Sequence, residues 1–199
     1  MRLIIIRHGE TDWTRSGQHT GVTDLALTEN GRRQAASLGS LVDDLLGGER
    51  PVVYSSPRKR AIETADLALP DRQFALEPLV AEYDYGDYEG LTGRQIALRA
   101  PGWDIWRDGC PGGESTDDVG TRADTFLGER VENATGPVIV VSHGHFSRIL
   151  AARALRLPAE SGSLFASATG SVSMIEEYHG RPCIGVWNLC ADQAGRRRG

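Results

Sequence analysis

The segment RLIIIRHGET, residues 2–11, is the part of the chain that decides the fold. It contains an apolar run that is too short for the hydrophobic core of a signal peptide and is interrupted at once by Arg7 and His8. A short, continuous apolar run of this kind predicts a buried strand. In parallel α/β sheets the ligand crevice forms at the carboxyl ends of the strands. The sequence therefore places His8 where a functional residue is expected.

The segments that follow alternate between helix and strand patterns. Apolar residues at helical spacing predict one continuous helix that begins after Thr28 and ends at Gly47-Gly48. The same arguments predict helices over residues 58–69, 116–131 and 146–157, and strands over 52–54, 138–141, 172–178 and 183–189. The last two strands are expected to pair through a turn at His179-Gly180, and the glycines and prolines of residues 74–111 indicate an irregular excursion. This order predicts an α/β fold with a mainly parallel sheet.

Composition narrows the class of protein. The 199 residues are 40% hydrophobic and 25% charged, which is typical of a globular chain, and they predict a single domain over 1–199 with a flexible basic tail from about residue 192. A net charge of −5 predicts no nucleic-acid or membrane partner, so affinity for a small anion must come from a local cluster. Three cysteines without zinc-type spacing indicate reduced thiols in a cytoplasmic protein. The sequence does not decide whether the protein forms a homodimer.

Three strand ends that are distant in the sequence carry arginine and histidine. Arg7 and His8 follow the first strand, Arg60 lies soon after the second, and His143 and His145 follow the third. If these ends are neighbours in the sheet, they form a cationic pocket on an acidic protein. The two late histidines also suggest a metal centre, but a binuclear hydrolase would want several aspartates at these ends, where this chain has arginines. We expect no metal and no other cofactor.

These motifs resemble those of the histidine phosphatase, or phosphoglycerate mutase-like, superfamily. The Arg-His-Gly-Glu-Thr motif of the first strand, the Ser-x-x-x-Arg-Ala-x-x-Thr-Ala motif of residues 56–65 and the late Ser-His-Gly motif occur in the family's order. Glu82, followed by YGDYEGLT at residues 85–92, is similar to the family's acid-bearing loop. The resemblance implies a three-layer α/β/α fold with helices on both faces of the sheet. It also implies metal-independent hydrolysis of small phosphate monoesters through a phosphohistidine.

The resemblance also implies roles for single residues. His8 is the expected phosphoryl acceptor and Glu82 the expected proton donor, while Arg7, Arg60 and His143 are expected to hold the phosphate oxygens. The implied substrate-binding set adds Gly144, His145, and the pair Thr20 and Gly21 from the loop that closes over the ligand in the family.

The chemistry explains why such residues are needed. A neutral imidazole can attack phosphorus through one ring nitrogen if the other donates its proton to a fixed acceptor. A backbone carbonyl near Gly9 is the expected acceptor for His8. Arg7 and Arg60 can bind oxygens in bidentate fashion, and their charges disfavour a protonated His8.

Several assignments keep alternatives. Asp84, Asp87 and Glu89 are other carboxylates of the acid-bearing loop, and His145 either shapes substrate choice or packs at a helix start. The aromatic residues Tyr83, Trp103 and Trp106 either wall a pocket or pack in the core, and Arg107 is a candidate for a second anionic group on the substrate. The same stretches resemble relatives that act on sugar phosphates such as sedoheptulose bisphosphate, and also broad-specificity acid phosphatases.

Two rival functions use the same pocket. A cofactor-dependent phosphoglycerate mutase forms the same phosphohistidine but returns its phosphate to the product. The resemblance leads us to expect that such mutases are longer, with an insertion and a C-terminal extension, and that they carry Asn-Ser where this chain has His145-Phe146. A non-catalytic module that binds phosphorylated ligands is the second rival, although every expected catalytic residue is present.

Overall fold

A six-stranded sheet forms the centre of the computed structural model, which describes residues 1–191. Its strands are β1 (Arg2–Arg7), β2 (Val52–Ser55), β3 (Ala75–Leu76), β4 (Val138–Ser142), β5 (Val172–Tyr178) and β6 (Arg181–Leu189). The order across the sheet is β3-β2-β4-β1-β5-β6. The first four of these strands pair in parallel, and β5 pairs antiparallel with both β1 and β6. The mainly parallel sheet predicted from the sequence is confirmed.

Helices cover both faces of the sheet. They are α1 (Asp12–Ser16), α2 (Glu29–Ala36), α3 (Gly39–Leu46), α4 (Lys59–Ala68), α5 (Gly93–Arg99), α6 (Ile105–Asp108), α7 (Thr116–Phe126) and α8 (Gly144–Ala154). Alternate residues of β1 point to opposite faces: Leu3 packs in a cluster with Phe126 and Phe146, whereas Ile4 packs with residues of α3 and α4. Two apolar clusters on one sheet produce the three-layer α/β/α architecture.

The single helix predicted between Thr28 and Gly47 is wrong. Thr28 does cap α2, since its side chain accepts a hydrogen bond from the Gly31 amide at 3.0 Å. The helix then stops at a tight turn, in which the Leu38 amide donates to the Ala35 carbonyl at 3.1 Å and the Ser37 hydroxyl donates to the Gln34 carbonyl at 2.7 Å. Local side-chain hydrogen bonding of this kind leaves no trace in hydrophobic periodicity.

Other elements depart from the sequence prediction in smaller ways. The irregular excursion contains two short helices, α5 and α6, and the segment after α7 continues as a π-helical turn over Leu127–Val131. The β5–β6 hairpin is confirmed, with His179 and Gly180 at positive φ values of 50° and 73°. Within residues 1–191 no helix is long and apolar enough to cross a membrane. The predicted basic tail lies outside the described residues.

The sheet order brings three strand ends together. β4 lies between β1 and β2, with Arg7 opposite Ser142 and Ser55 opposite Val141. The pairing continues one residue further, since the His8 amide donates to the Ser142 carbonyl at 2.9 Å. The carboxyl ends of these parallel strands therefore meet at one edge, as the sequence predicted.

Candidate active site

His8 follows β1 directly and is 3% exposed. Its Nδ1 lies 2.7 Å from the Gly9 carbonyl oxygen, so Nδ1 carries the proton and Nε2 keeps a free lone pair. The turn is held because the Gly9 amide donates to Thr64 Oγ1 at 3.1 Å. Burial lowers the pKa of His8 well below its usual range, and the charges of Arg60 and Arg7 lower it further, while the hydrogen bond to Gly9 opposes the shift. The acceptor carbonyl expected near Gly9 is present.

Gly9 is required by a close backbone approach. A Cβ at this position would lie 2.3 Å from the carbonyl oxygen of Gly31, in α2. Any side chain would force the turn after β1 away from α2 and carry His8 with it. The glycine of the Arg-His-Gly motif therefore serves packing as well as hydrogen bonding.

His143 lies beneath His8, with ring centroids 5.1 Å apart. Arg60 Nε donates to His143 Nδ1 at 3.2 Å, so the proton of the imidazole is on Nε2, which donates to Ser56 Oγ at 2.7 Å. Both Arg60 and His143 are fully buried. Burial and the charge of Arg60 lower the pKa of His143 well below its usual range. His143 is therefore a neutral imidazole of defined tautomer.

The two arginines differ in how their donors are used. In Arg60, both terminal nitrogens of the guanidinium have acceptors. Nη1 donates to the Thr23 carbonyl at 2.9 Å, and Nη2 donates to the carbonyls of Thr20 and Gly21 at 2.9 and 3.1 Å. Arg7 lines the cavity, and its Nη1 donates to the Ser167 carbonyl. The buried Nε of Arg7 has no acceptor within the described part of the chain. Arg7 is thus the arginine with an unused donor beside His8.

Glu82 lies in the acid-bearing loop, and its carboxylate reaches the amino-terminal end of α8. The residue is 8% exposed. Its Oε1 accepts the amides of Tyr83 and Phe146, each at 2.9 Å, and its Oε2 accepts the amide of His145 at 3.1 Å. The three donors hold the carboxylate in the same cavity as His8.

The other carboxylates of the acid-bearing loop do not line this cavity. Asp84 accepts the Gly86 amide at 3.0 Å, Asp87 is exposed, and Glu89 accepts the amides of Gly21 and Thr23. Of the four candidates, only Glu82 is therefore placed to exchange a proton with a ligand beside His8.

The cavity brings together most, but not all, of the residues predicted from the sequence. Its walls include Arg7, His8, Thr20, Glu82, Gly144 and His145. Arg60, His143 and Gly21 lie behind this wall, where Arg60 contacts the other two. Trp103 and Tyr83 are outside the wall as well.

His145 both lines the cavity and packs. Its Nδ1 lies 2.7 Å from the Tyr85 hydroxyl, and its ring centroid is 5.2 Å from that of Trp106. Burial and the charge of Arg148 lower the pKa of His145. The two interpretations of this residue are therefore compatible, since its packing fixes the ring at the cavity wall.

Arg148 is the cavity residue that the sequence interpretation missed. Its Nε donates to the Gly162 carbonyl at 3.0 Å and its Nη2 to the Ser163 carbonyl at 3.1 Å, with the guanidinium 4.4 Å from the Trp106 ring centroid. Arg107, the predicted candidate, does not line the cavity. It forms an ion pair with Asp108, with 2.6 Å between Nη2 and Oδ2. The missed signal is helical spacing, because Arg148 lies one turn after His145 on α8.

The comparisons with known proteins agree with this geometry. The sequence matches the family described as the histidine phosphatase superfamily (branch 1) over residues 3–189. The chain belongs to this superfamily. An acid phosphatase from Mycobacterium tuberculosis is 44% identical over 190 residues, covering 94% of this chain and 92% of the relative. A sedoheptulose 1,7-bisphosphatase from Saccharomyces cerevisiae is 37% identical over 179 residues, covering 76% of this chain and 66% of that relative.

A solved structure supports the fold in the same way. The product of an open reading frame of Mycobacterium tuberculosis superposes with a TM-score of 0.89 at 42% identity, covering 96% of this chain and 98% of that chain. The family resemblance and the fold class predicted from the sequence are thereby confirmed. Among residues 1–191, no group of three or more histidine, cysteine, aspartate or glutamate side chains is arranged to hold a metal ion.

Proposed function

We propose that the protein is a phosphatase that hydrolyses phosphate monoesters of small molecules through a phosphohistidine on His8. The observation that carries the proposal is the neutral His8 imidazole, whose Nδ1 is bonded to the Gly9 carbonyl 2.7 Å away, in one cavity with Arg7 and Glu82. In this arrangement one phosphate group would meet a nucleophile in His8, a cation in Arg7 and a proton donor in Glu82.

The first half of the reaction follows from these positions. Nε2 of His8 attacks phosphorus, and the bond between phosphorus and the ester oxygen breaks. Glu82, protonated at this stage, gives its proton to the departing oxygen, so an alcohol leaves instead of an alkoxide. The unused Nε–H of Arg7 is placed to stabilise a non-bridging oxygen as charge builds up.

The second half returns the enzyme to its starting state. The Glu82 carboxylate takes a proton from water as that water attacks the phosphohistidine. The bond between phosphorus and Nε2 breaks, inorganic phosphate leaves, and His8 is again a neutral imidazole. Arg60 supports this cycle from outside the cavity, because its charge helps to keep His8 unprotonated. His143 accepts a hydrogen bond from Arg60 and packs its ring against that of His8.

The composition of the cavity supports a polar leaving group. The lining includes His19, Tyr85, His145 and Arg148, which offer hydrogen-bond donors and one positive charge to hydroxyl groups or a second anionic group. The names of the relatives, an acid phosphatase and a sedoheptulose 1,7-bisphosphatase, are in keeping with sugar phosphates or other phosphorylated metabolites. A cytoplasmic location and the lack of a nucleic-acid partner remain predictions from composition, and a homodimer remains open.

The direct experiment measures release of p-nitrophenol from p-nitrophenyl phosphate, with and without a chelator, between pH 5 and 8. Rapid quenching in alkaline denaturant, which preserves the acid-labile bond between phosphorus and Nε2, followed by mass spectrometry should find one phosphoryl group on the peptide that contains His8, and none on a His8→Gln variant. Turnover that survives in His8→Gln would refute the proposal. Binding without any turnover would favour the non-catalytic module.

The mutase alternative has its own assay. Incubation with 3-phosphoglycerate and a trace of 2,3-bisphosphoglycerate should release inorganic phosphate if the proposal is right. Isomerisation to 2-phosphoglycerate without net phosphate release would instead support the mutase.

A further inference from the structure

Two loops beside the active site are joined into one unit. The first runs from Gly17 to Thr23, and the second from Glu89 to Thr92. The Gly90 amide donates to the His19 carbonyl and the His19 amide to the Leu91 carbonyl, both at 2.9 Å. Gln18 adds a side-chain hydrogen bond to the Gly90 carbonyl at 2.8 Å. These hydrogen bonds fasten the first loop to the second.

Glu89 makes the central contact between the two loops. Its carboxylate accepts the Gly21 amide through both oxygens, at 2.9 and 3.1 Å, and accepts the Thr23 amide at 2.9 Å. The side chain does not line the cavity, so it does not touch the substrate in the reaction proposed above. Its only polar contacts among the described residues are these backbone amides.

Arg60 holds the opposite side of the same turn. Its guanidinium donates to the carbonyls of Thr20, Gly21 and Thr23. The Thr20 carbonyl and the Gly21 amide belong to one peptide group, so a single peptide plane accepts from Arg60 at one end and donates to Glu89 at the other. Hydrogen bonds in such a chain polarise one another and strengthen together.

Position 21, between the Arg60 guanidinium and the Glu89 carboxylate, requires glycine. A Cβ on Gly21 would lie 2.4 Å from the Tyr83 carbonyl oxygen and 3.0 Å from Glu89 Oε2. The absence of a side chain lets the peptide group sit between Arg60 and Glu89. Thus Gly21, assigned from the family resemblance to substrate binding, has a definite place in this linkage.

We propose that Glu89 is the positioning residue of Arg60: its carboxylate holds the turn of residues 20–23, and the carbonyls of that turn set the guanidinium under the phosphate site. Arg60 in turn donates to His143 Nδ1, so the linkage runs from the acid-bearing loop to the imidazole beneath His8. The proposal rests on the proposed function only in the step from anion binding to turnover.

The main variant is Glu89→Gln, which removes the charge and puts an amide nitrogen against the Gly21 amide. We expect the dissociation constant for inorganic phosphate, measured by titration calorimetry, to rise about tenfold, because the guanidinium of Arg60 would no longer be held in place beside His143 and His8. For p-nitrophenyl phosphate, kcat/KM should fall by a similar factor. The melting temperature is measured alongside, so that a loss of fold is recognised.

Glu63→Gln is the matched control. Glu63 also accepts a backbone amide in the connection between α1 and α2, that of Leu27 at 3.1 Å, and it pairs with the exposed Arg32. It does not contact the turn that holds Arg60. Phosphate affinity and kcat/KM of this variant should stay within twofold of wild type.

A double-mutant cycle separates positioning from general support. In an Arg60→Lys background, Glu89→Gln should change phosphate affinity by less than about twofold, because its effect passes through the guanidinium. An equal penalty in both backgrounds, or no penalty in the wild-type background, would overturn the proposal. If Arg60→Lys proves unfolded, the exchange rate of the Arg60 Nε–H with solvent, followed by NMR, replaces the cycle. It should increase in Glu89→Gln and be unchanged in Glu63→Gln, and an unchanged rate in Glu89→Gln would count against the linkage.

The two proposals fail separately. A wild-type protein that binds phosphate but hydrolyses no ester would refute the phosphatase and leave the calorimetric test of Glu89 intact. Normal turnover with unchanged phosphate affinity in Glu89→Gln would refute the linkage and leave the phosphatase standing.

Discussion

Replacing Glu82 by glutamine tests the proton-donor assignment most sharply, because the structure separates its chemical and structural consequences. The carbonyl oxygen of glutamine can keep the two hydrogen bonds that Oε1 accepts from the amides of Tyr83 and Phe146 at 2.9 Å. The amide nitrogen then faces the His145 amide, which now donates to Oε2 at 3.1 Å. One buried donor loses its acceptor, and α8 loses a negative charge at its amino terminus.

These losses give the expected effect on stability. A buried donor without an acceptor costs about 1–3 kcal/mol. The missing charge at the helix terminus costs about 0.3–1 kcal/mol more. Together they lower the melting temperature by about 2–4 °C for each kcal/mol in a chain of this size. The variant should therefore fold and bind inorganic phosphate.

The effect on turnover depends on the leaving group. Loss of a general acid should reduce kcat about 10²- to 10⁴-fold for a sugar phosphate, whose alkoxide departs slowly without a proton. The reduction should be smaller for p-nitrophenyl phosphate, because nitrophenolate leaves readily. Steady-state kinetics on both substrates measure the ratio. Equal reductions for both would show that Glu82 acts through structure alone, and unchanged turnover would remove it from the mechanism.

Three further predictions concern the buried histidines with their partner Ser56, and the cavity residue Arg148. Ser56→Ala removes the acceptor of His143 Nε2–H at 2.7 Å and should lower the free energy of unfolding by about 1–3 kcal/mol, measured by chemical denaturation; no loss would show that another acceptor takes its place. The depressed pKa values of His8, His143 and His145 mean that only the unfolded state binds their protons below about pH 6.5, so the free energy of unfolding should fall as the pH falls, by up to about 4.1 kcal/mol per pH unit, and a flat profile between pH 6.5 and 5.5 would contradict this. Arg148→Gln should raise KM for sugar bisphosphates about tenfold and leave KM for p-nitrophenyl phosphate unchanged; equal changes would remove Arg148 from leaving-group binding.

The sequence alone was sufficient for the central strands of the sheet and for the residues around His8, but not for the edge strand β3. The apolar runs of β1 and β4 predict buried central strands, because a strand covered on both faces has no polar positions. Since parallel strands share one carboxyl edge, the residues that follow them, His8 and His143, were expected to converge. The family resemblance then singled out Glu82 in an otherwise irregular loop.

Only the tertiary structure decided which donors are already in use. Arg60 and Arg7 look alike in the sequence, yet the carbonyls of residues 20–23 occupy Arg60, while the Nε of Arg7 has no acceptor within residues 1–191. Likewise, nothing local distinguishes Glu89 from Asp87. Whether such a side chain meets the cavity, a turn or solvent depends on contacts between segments tens of residues apart. A periodic pattern records which face of an element is buried, but not which partner a buried polar atom finds there.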